Sequence, residues 1–130
     1  MVVTVVCAYL KKKRKVLLCA SEYEDIWEFP GGEVQEGESF EEALFKRIRE
    51  KTGIKIKIVG FMEEVYYKYP SKHMIYRLYE VTCHNYLYKF NKPNLKWISL
   101  KKYKKVSILP PYVILIKNIL INENPNIFKE

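Results

Sequence analysis

Residues 27–54 limit what this chain can become more than any other stretch. They read Trp-Glu-Phe-Pro-Gly-Gly, then an acidic loop, then a run that ends at Gly53. A strand-like segment stops at Pro30-Gly31-Gly32. Ser39 stands where a helix N-cap belongs, with Glu42 three residues on as in a capping box. The spacing predicts a helix from about Phe40 to Lys51, closed by Gly53 in the left-handed position just past its end. A strand, a glycine-rich loop and a capped helix carrying carboxylates can gather a divalent cation and a phosphate chain in one place.

The rest of the chain reads as strands and one more helix. Val2 to Leu10 is β-branched and nearly uncharged, as a buried strand should be. Lys11 to Arg14 is then the turn, and Val16 to Ala20 the returning strand. The run Lys11 to Lys15 is similar to a basic nuclear-localisation signal, but a charged hairpin tip between two apolar strands explains it as well. Ile54 to Val59 alternates like a half-buried strand and continues toward Phe61 and Glu64. Tyr66 to His73 makes a turn with His73 on its surface, and Met74 to Cys83 the next strand. Residues 84–94 are a polar loop, and Leu95 to Ser99 is a short strand. Ser99 should cap a short helix over Leu100 to Tyr103. Leu109-Pro110-Pro111 opens a terminal helix over about Tyr112 to Ile121, with Val113, Ile114, Ile116, Leu120 and Ile121 as its expected buried stripe.

With 130 residues, 48% apolar and 29% charged, the chain has room for one domain with a real core. Met1 to Leu10 has no basic region before it and no cleavage pattern after it, so it is not expected to be a leader. No run approaches the roughly 20 apolar residues of a membrane span. Cys7, Cys19 and Cys83 are odd in number, unclustered and set in apolar runs, which suits reduced thiols in a cytoplasmic protein. The net charge of +8 points to an anionic partner, unless lysine is simply spread over solvated faces.

The central stretch resembles the Nudix box. Its pattern is Gly, five residues, Glu, seven residues, Arg-Glu, an aliphatic, any residue, Glu-Glu, any residue, Gly, an aliphatic. Gly32, Glu38, Ile48, Glu50, Gly53 and Ile54 fall in register, and Trp27 to Gly32 is similar to the MutT and CTP-pyrophosphohydrolase branch. The box Arg is Lys46, the Glu after it is Arg47, and the second Glu of the pair is Lys51. The resemblance spans residues 2–121 and implies an α/β fold, an α/β/α sandwich around a mixed sheet. It implies a single Nudix-like domain over 1–130, with the box at about 32–54.

It also implies hydrolysis of nucleoside di- or triphosphate anhydrides with Mg²⁺ or Mn²⁺. Glu50 and Glu38 would be the remaining catalytic acids and metal ligands. Gly31, Gly32, Lys46, Arg47, Lys51 and Tyr112 would be the substrate-binding positions. Residues three and four apart share a helix face, so Arg47, Glu50 and Lys51 place a net charge of +1 where the intact motif carries −3. Like charges about 4 Å apart repel by about 4 kcal/mol even at an effective dielectric of about 20, so hydrolysis should be weak. Other family positions have changed too. Ser21 stands at the phosphate-contacting Arg, residues 89–94 hold no acid, and Tyr112 or Val113 takes the base-reading place.

Glu50 is either a residual ligand or a partner of Lys46, and Glu38 either a ligand or part of the loop's architecture. Glu33, Glu36, Glu41 and Glu42 read as solvated, the last two favouring the helix dipole, while Glu63 or Glu64 could stand in as a base. Two readings remain. One is a weak metal-dependent pyrophosphohydrolase. The other is a binding or regulatory protein that needs no metal and holds phosphates with Lys46, Arg47 and Lys51. A nucleotide or another phosphorylated small molecule is the expected partner, with an RNA end as a lesser alternative.

Overall fold

The protein is described by a computed structural model covering residues 1–84 and 92–128. In chain order the elements are β1 (Val2–Lys12), β2 (Lys15–Ala20), β3 (Trp27–Glu28), β4 (Gly31–Glu33), α1 (Phe40–Thr52), β5 (Ile56–Lys68), β6 (His73–Cys83), β7 (Leu95–Ser99), a 3₁₀ helix (Leu100–Lys105) and α2 (Pro110–Glu123).

The sheet is mixed and β1 runs through its middle. β1 pairs in parallel with β6 from Val2↔His73 to Leu10↔Val81, and antiparallel with β4. Its last residues turn into β2, which carries β3 on one side and β7 on the other. β5 lies outside β6, with two breaks in register. The uninterrupted apolar run of β1 has a simple cause: both of its faces are covered. Val5, Cys7 and Tyr9 face a core shared with Leu115, Ile116 and Ile119 of α2. Val6, Ala8 and Leu10 face the core that α1 closes with Ala43, Leu44 and Ile48. Two helices on opposite faces of a mixed sheet make the expected sandwich.

α1 follows its sequence signals. Ser39 Oγ accepts the Glu42 N–H at 3.1 Å, and Gly53 adopts φ 73° while its N–H reaches the Arg49 carbonyl. Thr52 adds a second stop, its hydroxyl donating to the Ile48 carbonyl at 2.7 Å and accepting from the Ile54 N–H. Burying Leu44 and Ile48 contributes about 2 kcal/mol each.

The first hairpin differs from its expected form. Lys11, Lys12 and Lys15 belong to the strands, and only Lys13 and Arg14 turn, with Lys13 at φ 56°. The β5–β6 turn tightens in the same way to Tyr69–Lys72, closed by the Tyr69 N–H on the Lys72 carbonyl. Ser99 precedes a 3₁₀ helix but makes no side-chain cap. The stripe on α2 also needs correcting. The buried residues are Pro111, Tyr112, Leu115, Ile116, Ile119 and Leu120, whereas Ile114 and Ile121 are about 40% exposed. In a helix apolar nearly all round, composition does not mark the inner face. Of the expected polar loop, residues 85–91 lie outside those described. Cys7 and Cys19 are buried, with burial pushing the Cys19 thiol up to about 12.

The corrected stripe is testable by urea unfolding. Leu120→Ala should cost about 3 kcal/mol, and Ile121→Ala no more than about 0.5 kcal/mol. The reverse order would restore the stripe read from sequence.

Candidate active site

Two contacts made by glycines build the site. A Cβ on Gly31 would stand 2.0 Å from the Val6 carbonyl oxygen, so only glycine lets β4 lie this close to β1. A Cβ on Gly32 would stand 2.8 Å from Arg47 Cγ. The arginine stem of α1 therefore lies across a residue with no side chain. That places its guanidinium between the two surviving acids of the motif.

Arg47 Nη2 donates to Glu38 Oε2 at 2.7 Å, and Nη1 to Glu50 Oε1 at 3.2 Å. The other Glu38 oxygen accepts the Gln35 N–H at 2.8 Å, and Lys46 Nζ stands 3.4 Å from Oε2. The Gln35 N–H, helped by Lys46 and Arg47, holds the Glu38 carboxyl below the usual carboxylate range. Glu38 is thus both architectural and ion-paired. Glu50 pairs with Arg47, not with Lys46.

Beside this cluster opens a cavity of about 1030 Å³. Lys51 and Gly32 border it at the motif end, and Tyr69, Tyr76 and Tyr112 at the other. Lys51 Nζ lies 3.6 Å from Glu28 Oε1, and Glu28 is only 14% exposed. Burial raises the Glu28 pKa, and Lys51 opposes that rise. Tyr112 packs edge-on against Phe29 and Tyr76, and burial pushes its hydroxyl well above the ordinary range. The Tyr69 and Tyr76 hydroxyls meet at 3.3 Å. Ser21 also borders the cavity, and Asn94 Nδ2 donates to the Lys51 carbonyl.

The other acids do not join the motif. Glu33, Glu36, Glu41 and Glu42 are exposed. Glu64 is held by Arg77, whose guanidinium stacks on Phe40 and Phe61 at 4.6 and 4.4 Å. Burial raises the Glu63 pKa, and Asn118 of α2 opposes the rise. His73 is exposed. Sequence reasoning passed over Glu28, although it alternates with Trp27 and Phe29, the pattern that turns one side chain of a strand to the opposite face.

A divalent cation does not fit this donor set. Mg²⁺ requires several oxygen ligands in octahedral order. Glu38 and Glu50 already share one guanidinium, and Lys51 occupies the remaining acidic position. Among the described residues no three His, Cys, Asp or Glu side chains are arranged to hold a metal. The arrangement can instead offer fixed positive charge to phosphate oxygens entering the cavity.

A family model described as "NUDIX domain" matches residues 1–112. An 8-oxo-dGTP diphosphatase of Buchnera aphidicola is 38% identical over 64 residues, which is 48% of this chain and 52% of that protein. An RNA pyrophosphohydrolase of Nitratiruptor is 39% identical over 66 residues, 49% of this chain and 43% of that one. The chain thus spans about half the length of the curated relatives it matches. The solution structure of the Escherichia coli ORF135 protein superposes with a TM-score of 0.77 at 19% identity, over 98% of this chain and 95% of that chain. The MutT protein of Methanosarcina mazei gives 0.71 at 21%, over 95% of each. At these identities the two structures show a shared fold.

The Glu38 contacts give a pH signature. Its folded carboxyl ionises at a lower pH than the unfolded one. The stabilisation is therefore full above the ordinary Glu value and is lost as pH falls through the lowered folded value. Arg47→Met keeps a stem over Gly32 and removes the guanidinium. In urea unfolding it should be less stable than the parent at pH 7 and should lose less stability on acidification below about pH 4.5. An unchanged acid limb would remove Arg47 as the partner that matters.

Proposed function

The chain belongs to the Nudix family, and from that premise we propose that it binds the pyrophosphate of a nucleoside di- or triphosphate, or of an X-linked diphosphate, and hydrolyses it only weakly. The observation that carries this reading is Arg47, laid across both surviving motif acids. Cleavage of a phosphoanhydride calls for charge neutralisation at the phosphate oxygens and for a positioned base that activates water. Lys51, Lys46 and Arg47 supply the first from side chains. The second is what the motif lacks, because Glu38 and Glu50 are engaged by a cation that cannot give up its charge.

The cavity suits a nucleotide in outline. A cationic end at Lys51 could meet the phosphates, and the tyrosine end has the aromatic surface a base or ribose requires. Both relatives named above act on phosphoanhydrides, of a nucleoside triphosphate in one and of an RNA end in the other. A second reading, binding without turnover, is favoured by one further contact. Lys51 enters the cavity against Glu28 and is 41% exposed, so an incoming phosphate can recruit it.

The test pairs calorimetric binding in EDTA with phosphate and pyrophosphate release in Mg²⁺ or Mn²⁺. CTP, dCTP, 8-oxo-dGTP and ADP-ribose serve as the panel. Binding without metal and slow release are expected, and Glu28→Gln should tighten binding by freeing Lys51. Arg47→Glu with Lys51→Glu should raise metal-dependent release at least about tenfold. Relief of several kcal/mol of repulsion at about 1.4 kcal/mol per decade allows that much. Fast release by the parent that vanishes in Glu50→Gln would overturn the weak-hydrolase reading. Turnover at background, with tight binding in EDTA, would select the binding protein.

A further inference from the structure

The positive charge is unevenly divided along the sequence. Residues 1–21 and 81–122 hold thirteen of the 23 Lys and Arg residues and none of the 15 acids, so the remainder of the chain is net acidic. Two runs dominate: Lys11 to Lys15 at the first hairpin, and Lys101, Lys102, Lys104 and Lys105 on the 3₁₀ helix. The pairing of β2 with β7 joins them. Lys15 stands opposite Ser99, the residue before the 3₁₀ helix, so the first run ends at the rung from which the second follows two residues on. All of these cations except the half-buried Lys12 are exposed.

An aromatic ring lies among them. Trp97 of β7, half-buried, lines a cavity of about 530 Å³ with Lys12, Lys13, Arg14 and Lys15. Along β2, Lys15 is four residues from Cys19 and five from Ala20, which border the larger cavity. At about 3.4 Å per residue that is about 14 to 17 Å from Lys15, whereas Trp97, opposite Leu17, is two rungs from Cys19. The two cavities share no lining residue, so the surface is distinct from the site built around Arg47.

We infer that this end of the molecule, the Lys11–Lys15 hairpin and the lysines of the 3₁₀ helix around Trp97, is a binding surface for single-stranded nucleic acid. The chemistry has two parts. Clustered cations follow a phosphate backbone and release its counterions. An aromatic face bordered by cations accepts a stacked base, which a duplex keeps inside its helix. An anionic membrane shares the first part only. Such binding is strengthened by apolar side chains that insert, and no large apolar side chain of the hairpin or the 3₁₀ helix is exposed. A mixed-charge cavity is where the chain would read a nucleotide. The two exposed lysine runs read a backbone.

The experiment is fluorescence anisotropy of the full chain with an oligouridylate of about 12 nucleotides, a length within reach of one or two small binding modules. The strand carries a 5′-hydroxyl, so no phosphoanhydride is offered to the Arg47 site, and failure here is separate from failure there. Parallel arms use the matching single-stranded DNA, a duplex, and phosphatidylserine vesicles. Arg14→Gln, Lys15→Gln, Lys101→Gln and Lys102→Gln, combined, change only exposed side chains.

The single strand is expected to bind with a steep salt dependence. The combined variant should weaken binding roughly tenfold or more in low salt and reduce the magnitude of the log–log salt slope by about 3, at about 0.7 per phosphate contact. Trp97→Leu, checked for folding by circular dichroism, should lower affinity with the slope unchanged. Preference for RNA over DNA, or the reverse, would support the surface and identify its source of strand. No binding in low salt, an unchanged slope in the combined variant, a duplex bound as tightly, or capture by vesicles alone would overturn it.

Discussion

The approach of Gly31 to the Val6 carbonyl governs what the motif can do. With no Cβ in the way, β4 lies against β1, the Ala8 N–H reaches the Pro30 carbonyl, and the Val34 N–H reaches the Thr4 carbonyl. Those bonds fix where the acidic loop begins. The Ser39 cap and the buried Leu44 and Ile48 then fix α1 over the same strand. Arg47 is carried into place by both supports, its stem above Gly32 and its charge between Glu38 and Glu50. Neither the ion pairs nor the cavity beside them would survive if a methyl group separated these two strands.

Charge is arranged along the molecule as deliberately as apolar surface is arranged through it. Around the motif the signs alternate, Glu38 with Arg47 and Lys46, and Glu28 with Lys51. Each pair is partly shielded, so it persists in salt better than an exposed pair would. The two lysine runs of the hairpin and the 3₁₀ helix carry one sign on exposed side chains, and water screens them. The first arrangement is selective and local, whereas the second acts at a distance and responds to ionic strength. The same net charge of +8 therefore describes two different electrostatic surfaces.

Much of the fold was readable because local rules and packing agree. The β1 run, the Ser39 cap and Gly53 each state in a few residues what the tertiary structure then uses. Reading failed where only the third dimension decides. Lys11 and Lys12 are poor strand markers, yet they continue β1 because β2 returns beside them. The inner face of α2 is set by the sheet beneath it, not by a hydropathy contrast that the helix lacks. Arg47 was legible as a misplaced charge. Its engagement of both acids was not, since that depends on Gly32 standing beneath a stem fifteen positions later in the chain. Glu28 was hidden for a related reason: its burial and its lysine partner come from separate segments.

The bridge made by Arg47 has a consequence for how such a motif changes over generations. Glu38 and Glu50 are paired inside the chain with Arg47, so their charge has a counterpart that does not come from solution. An acid at position 47 would put three carboxylates within reach of one another, with Lys46 as their nearest counter-charge in the chain and the rest of the relief left to a cation from solution. The acidic pattern of the intact motif would thus tie stability more closely to metal supply than the present pairing does. A single change at position 47 would hand part of that pairing to ions from solution.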